Sequence, residues 1–258
     1  MGVWGLGLTV WAGRDTLAAS MNTIEQALNH TLERIAGACA AAGRPPSGVT
    51  LLAVGKTRPA ADVRAAFAAG QRDFGENYVQ EALAKMAELQ DLRRHPPSAD
   101  SIRWHLIGPL QSNKTREVAE QFDWVHSVDR LRIAQRLSDQ RPADLPPLQV
   151  CLQVNVSGEA SKSGIAPEDL PSLAHAVAAL PRLSLRGLMS IPEPAQGLDA
   201  QRQPHRALRV LMEDLRAQGL PLDTLSMGMS DDLEAAVLEG STIVRVGTAI
   251  FGARAPKA

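Results

Sequence analysis

The chain has 258 residues, with 27 Lys and Arg against 28 Asp and Glu and a net charge of -1. That length suits one (β/α)8 barrel with a large core, and the balanced charge offers no basic footprint for nucleic acid or an anionic membrane, so a small-molecule partner is expected. Cys39 and Cys151 are the only cysteines; lying far apart and outside any C-x-x-C or Cys/His spacing, they indicate neither a disulfide framework nor a zinc site and fit a reducing cytoplasm.

Residues 1–20 hold an apolar core without the basic segment that precedes it in a signal peptide. They are expected to be a disordered extension ahead of a domain spanning 21–258, and no apolar run approaches the roughly 20 residues of a membrane span. From Asn22, Ile24, Leu28, Leu32 and Ile35 recur at helical spacing until Gly43 and Pro45 break the pattern. Strands are then predicted at 49–56, 73–76, 103–108, 124–128, 148–156, 184–191, 224–229 and 243–252, with helices between them such as 62–70, 78–90, 170–180 and 206–219. Strand alternating with helix points to a parallel sheet covered on both faces, and eight strands close a barrel. A doubly wound open sheet stays possible on strand count alone. The eighth strand has almost no chain left for a helix of its own, and the N-terminal helix is free to cover that gap.

LLAVGKTRPA ends the first strand on Lys56. A phosphate-binding P-loop needs a glycine where Thr50 stands, so Lys56 is read as a strand-end lysine on the inward parity of Leu52 and Val54. In LQVCLQVNV, alternation puts Val150, Leu152 and Val154 on one face and Gln149, Cys151, Gln153 and Asn155 on the other. That second face fits either a ligand pocket or a satisfied polar layer. Arg245 lies between Val244 and Val246, where an arginine is costly without acceptors; a neighbouring carboxylate or an acceptor-bearing ligand would supply them. Ser230 stands at the N-cap position of a helix, where backbone N–H groups attract phosphate. With Gly247 and Thr248 on the next strand, it matches the phosphate site that barrels build after strands seven and eight. Lys56 is then either paired to a carboxylate such as Glu76 or a reactive amine able to form a Schiff base. A reactive lysine, an arginine and a phosphate site together describe a pyridoxal 5'-phosphate (PLP) pocket. His105 and His126, on the third and fourth strands, are expected to be core or supporting groups.

LLAVGKTRPA, FGENYVQEA, WHLIGPLQSNK, HSVDR, LQVNVSGEASKSGI, RGLMSIP and LSMGMSDDLEAAVLEGSTIVRVGTAIFG follow one another as in the pyridoxal phosphate homeostasis proteins, which the chain resembles from Met21 to Arg254. The resemblance implies a single (β/α)8 TIM barrel of the alanine racemase N-terminal domain type, with an N-terminal helix and no C-terminal β domain. It implies Lys56 as the Schiff-base lysine, Asn77 on the ring side, Ser230, Gly247 and Thr248 on the phosphate, and Arg245 at the pyridine nitrogen. Lys162 in SGEASKSG is implied as a second, transient PLP acceptor; a solvated loop lysine is the other reading. Gly55 departs from the family's usual serine. The implied function is binding PLP for intracellular vitamin B6 homeostasis, as a carrier or buffer with PLP-dependent enzymes as possible recipients; separately, the lack of the domain through which racemases dimerise favours a monomer, and the cysteine usage a cytoplasmic one. The alternative is a PLP-dependent racemase or decarboxylase, which needs acid and base groups on the cofactor's faces; the only tyrosine is Tyr78.

Overall fold

The computed structural model describes residues 9–94, 98–157 and 163–253, with side chains from Thr23 onward. A long helix, α1 (Thr9–Ala41), precedes eight strands, β1 (Thr50–Val54), β2 (Asp73–Glu76), β3 (Arg103–Leu106), β4 (Trp124–Val128), β5 (Leu148–Gln153), β6 (Leu183–Met189), β7 (Thr224–Ser226) and β8 (Ile243–Val246). They close into a barrel in sequence order, β8 pairing back to β1. All pairings are parallel. The open-sheet alternative is thereby excluded. Between the strands run α2 (Ala60–Ala68), α3 (Val79–Glu88), α4 (Thr115–Gln121), α5 (Leu131–Gln140), α6 (Leu170–Ala178), α7 (Leu198–Ala217) and α8 (Leu233–Leu238), with a single-turn α9 (Thr248–Phe251) after β8.

Strand alternation sorts the side chains into two layers. Leu51, Ala53, Val150 and Leu152 join the large core under the helices, while Leu52, Val54, Ile107 and Ile243 form a small apolar cluster inside the barrel. Two amides on the polar face of β5 have protein partners: Gln149 donates to the Pro147 carbonyl at 2.9 Å and accepts from Arg186 at 2.7 Å, and Gln153 donates to the Ser163 carbonyl at 3.2 Å. Both cysteines are buried and unpaired, and burial pushes the Cys151 thiol up to about 12.

Three sequence expectations shift. The eighth strand ends at Val246 and the chain turns at Gly247 into α9, so β8 does have a following helix. α1 nevertheless packs against α2, α8 and α9 and covers the seam as expected. The buried stripe of α1 is Ile24, Leu28, Thr31 and Ile35, whereas Leu32 is exposed. Spacings of 4, 3 and 4 along that stripe follow the helical period, and Thr31 satisfies its hydroxyl on the Ala27 carbonyl at 2.8 Å. The helix expected from 206 begins at Leu198 and carries Pro204 inside it. Among the described residues, no helix is long and apolar enough to cross a membrane and no side-chain cluster is arranged to hold a metal ion.

Candidate functional site at the C-terminal mouth of the barrel

Lys56 is not on the strand. β1 stops at Val54, and Gly55 to Arg58 form a turn closed by Arg58 N–H on the Gly55 carbonyl at 3.0 Å. Parity therefore does not set the direction of its half-buried side chain. The turn is fixed by its neighbours. Lys85 Nζ, buried under α3, donates to the Gly55 carbonyl at 2.5 Å, to Glu76 Oε1 at 2.8 Å and to Glu81 Oε1 at 2.7 Å. Glu81 Oε1 in turn accepts Thr57 N–H at 2.5 Å. Lys56 is thus bracketed on both sides by one ionic cluster. Among the described residues Thr57 is the only non-glycine with positive φ, at 64°, a conformation that a β-branched residue holds only where its surroundings impose it. A Cβ at Gly55 would lie 2.8 Å from Glu76 Oε1, so the space of the expected serine side chain is occupied by a carboxylate. Burial pushes the Glu76 carboxyl up to about 7, against the pull of Lys85.

Arg245 lies beside Leu52 in the β1–β8 register and is buried. Its acceptors are not a carboxylate: Nη1 donates to Ser226 Oγ and Nη2 to the Ser190 carbonyl, each at 2.8 Å. Burial pulls its guanidinium down to about 10, still well above neutrality. Asn77 directly follows β2, and Gly108 packs so closely against it that a Cβ there would sit 2.2 Å from the Asn77 carbonyl oxygen.

Ser230 does not cap a helix. The N-cap of α8 is Asp232, because Asp232 Oδ1 folds back to accept Met229 N–H at 2.6 Å and closes a turn that contains Ser230. Arg34 of α1 binds the Ser230 carbonyl at 3.0 Å and Glu234 at 2.8 Å, anchoring that loop from outside the barrel. Gly247 is the N-cap of α9 and Thr248 its first residue. A Cβ at Gly247 would press to 3.2 Å from the Val54 carbonyl oxygen, so glycine lets β8 end tight against β1. Since β7 pairs with β8, the loops carrying Ser230 and Gly247 are neighbours at the same end of the barrel as Lys56, Asn77 and Arg245. Lys162 lies outside the described residues.

The alanine racemase N-terminal domain family matches residues 25–255. The pyridoxal phosphate homeostasis protein of Pseudomonas aeruginosa is 65% identical over 234 residues, 91% of this chain and 97% of that one. This chain belongs to the pyridoxal phosphate homeostasis protein family. The Escherichia coli K12 protein of that family is 54% identical over 234 residues, 91% of this chain and 98% of its own length. A family structure with PLP bound, PipY of Synechococcus elongatus PCC7942, aligns with a TM-score of 0.73 at 42% identity, covering 86% of this chain and 99% of that one. Alanine racemase from Corynebacterium glutamicum aligns with a TM-score of 0.66 at 17% identity over 89% of this chain and 62% of its own, a likeness of fold.

Several groups escaped the sequence reading. Ser226 and Ser190 hold Arg245, and Lys85 and Glu81 hold the Lys56 turn. One signal was present: Lys85 falls on the buried stripe of α3 with Val79, Ala82 and Met86, where a lysine needs a carboxylate.

Proposed function

We propose that this chain binds PLP through a Schiff base on Lys56 and serves cellular PLP homeostasis as a carrier or buffer without robust catalysis. The observation that carries the reading is Arg245, a buried cation with serine and carbonyl acceptors but no ion-pair partner among the described residues. Three further buried oxygens, Glu76 Oε2, Asn77 Oδ1 and Ser190 Oγ, have no hydrogen-bond partner among the described residues. Buried polar atoms are normally satisfied, and these belong to the C-terminal ends of β2 and β6, where barrels bind their ligands. The residues present fit the cofactor, and the 42% identical PipY is solved with it.

In this reading Lys56 supplies the amine and Asn77 lines the ring side. Ser230, Gly247 and Thr248 offer hydroxyl and backbone donors to the phosphate. When bound, PLP supplies an aldehyde to capture and a ring able to accept electrons. Arg245 stays charged near neutrality, so it donates to the ring nitrogen without placing a proton on it. That weakens the electron sink and favours holding over turnover. Tyr78, the only tyrosine of the chain, is 59% exposed, which suits a surface residue better than a catalytic acid or base.

Titration with PLP under absorbance tests the reading. Saturable binding by the wild type, lost in Lys56→Ala, together with no racemisation or decarboxylation of added amino acids, is the expected outcome. Sustained turnover would favour the enzyme alternative.

A further inference from the structure

A file of buried hydrogen bonds crosses the barrel interior from one end to the other. Arg103 donates to Asp73 through Nε at 2.7 Å and Nη2 at 2.6 Å. Asp73 Oδ1 lies 3.0 Å from His105 Nε2, and His105 Nδ1 lies 3.0 Å from His126 Nε2. His126 Nδ1 lies 2.7 Å from Ser226 Oγ, which accepts Arg245 Nη1 at 2.8 Å. The file enlists β2, β3, β4, β7 and β8 in turn. His105, His126 and Ser226 are fully buried, and the His105 ring is stacked on Trp124, 5.4 Å between centroids and 7° between planes.

With both rings neutral, the two ends fix every proton between them. Arg245 can only donate and the Asp73 carboxylate can only accept. Ser226 Oγ, having accepted from Arg245, sends its own proton to His126 Nδ1. His126 therefore carries its proton on Nε2 and gives it to His105 Nδ1. His105 in turn carries its proton on Nε2 and gives it to Asp73. All bonds are made with both rings neutral. A protonated His126 would aim a second donor at Ser226 Oγ and leave the serine proton without an acceptor, beside a buried cation.

We infer that Asp73, His105, His126 and Ser226 form a positioning relay that fixes Arg245 from across the barrel. Among the described residues no carboxylate is hydrogen-bonded to Arg245, and Asp232 acts on it only through its charge. Each link in the file turns a lone pair toward Arg245, and the Asp73 carboxylate that sets this order is itself held by Arg103. One Nη1 hydrogen is consumed by the relay and one Nη2 hydrogen by the Ser190 carbonyl, which locks the guanidinium plane and leaves its remaining N–H groups for a ligand. What they meet rests on the PLP reading; the order of the protons does not.

The direct test is nitrogen-15 NMR of the histidine rings in the full-length, PLP-free protein near neutral pH, the two rings assigned by single substitution. The relay requires both His105 and His126 to be neutral Nε2–H tautomers. An imidazolium or an Nδ1–H tautomer at either position overturns it. In Asp73→Asn, the distant His126 ring is expected to lose its single tautomer, a change that a packing role would not produce; an unaltered His126 signal contradicts the relay. Ser226→Ala, the milder variant should Asp73→Asn not fold, is expected to weaken PLP binding about tenfold, the worth of one hydrogen bond to a charged group. Wild-type affinity in Ser226→Ala overturns the positioning role. A wild type that takes up no PLP would instead sink the cofactor reading, and the tautomers would then decide the relay alone.

Discussion

Lys85 Nζ lies 2.8 Å from Glu76 Oε1 with both side chains buried, and the same ammonium holds the carbonyl of Gly55, the residue before Lys56. Charge pairing between β2 and α3 thereby shapes the turn after β1. The unusual Thr57 backbone, held by Glu81, belongs to the same arrangement, since a strained residue persists only where its neighbours over-determine it.

Removing the cation alone is expected to be costly. Lys85→Met strands two carboxylates and a carbonyl, and should destabilise the fold by about 3–5 kcal/mol, as broken buried pairs do. The double variant Lys85→Met, Glu76→Gln should recover part of that loss, because no uncompensated charge then remains at Glu76. Denaturant melts of the single and double variants check this; strictly additive losses would show that the pair is not coupled.

The raised carboxyl of Glu76 gives a pH signature. Its ordinary value is 4.5 and burial takes it to about 7, so between those values the folded chain holds a proton that the unfolded chain has released. Stability therefore falls as pH rises through that window, by about 3 kcal/mol from the size of the shift. Glu76→Gln should flatten this slope in denaturation series across the window, and an unchanged slope would assign the effect elsewhere.

His126 acts with the opposite sign. Burial, with the charge of Arg245 beside it, holds its imidazole well below the ordinary 6.5, so below that value the unfolded chain takes up a proton that the folded ring refuses. Its contribution is present at neutral pH and is lost as pH falls below about 6.5. His126→Gln should remove that acid-side loss, read by the same melts. Retention of the loss in the variant would mean that another group carries it.

The barrel could be read from the chain because alternating apolar strands and helices with glycine stops are a local code, and parity alone separated Leu52 and Val54 from Leu51 and Ala53. Boundaries were harder where short-range geometry overrides pattern. Ser230 resembles a cap, yet Asp232 two residues later makes the turn; α7 hides behind Pro204. The residue types at Lys56 and Arg245 pointed to a site, whereas the partners of Arg245 did not. Ser226, His126 and His105 lie on separate strands and Ser190 directly follows a fourth, and only barrel closure brings them into line.

Asn77 is expected to depend on Gly108. A side chain at Gly108 would meet the Asn77 carbonyl oxygen at 2.2 Å, a backbone contact that can yield only by moving Asn77. Gly108→Ala should cost about 1–3 kcal/mol of stability, as overpacking does, and weaken PLP binding more than that loss alone explains. A variant with wild-type PLP affinity would remove Asn77 from the proposed site.

The most direct measurement is borohydride reduction of the PLP-loaded protein, followed by peptide mapping of the wild type and Lys56→Ala. A visible absorbance band abolished by reduction, with the pyridoxyl mass on Lys56 and none in the variant, is the predicted result. A chain that stays colourless with added PLP, or that carries the adduct elsewhere with Lys56 unmodified, would contradict it.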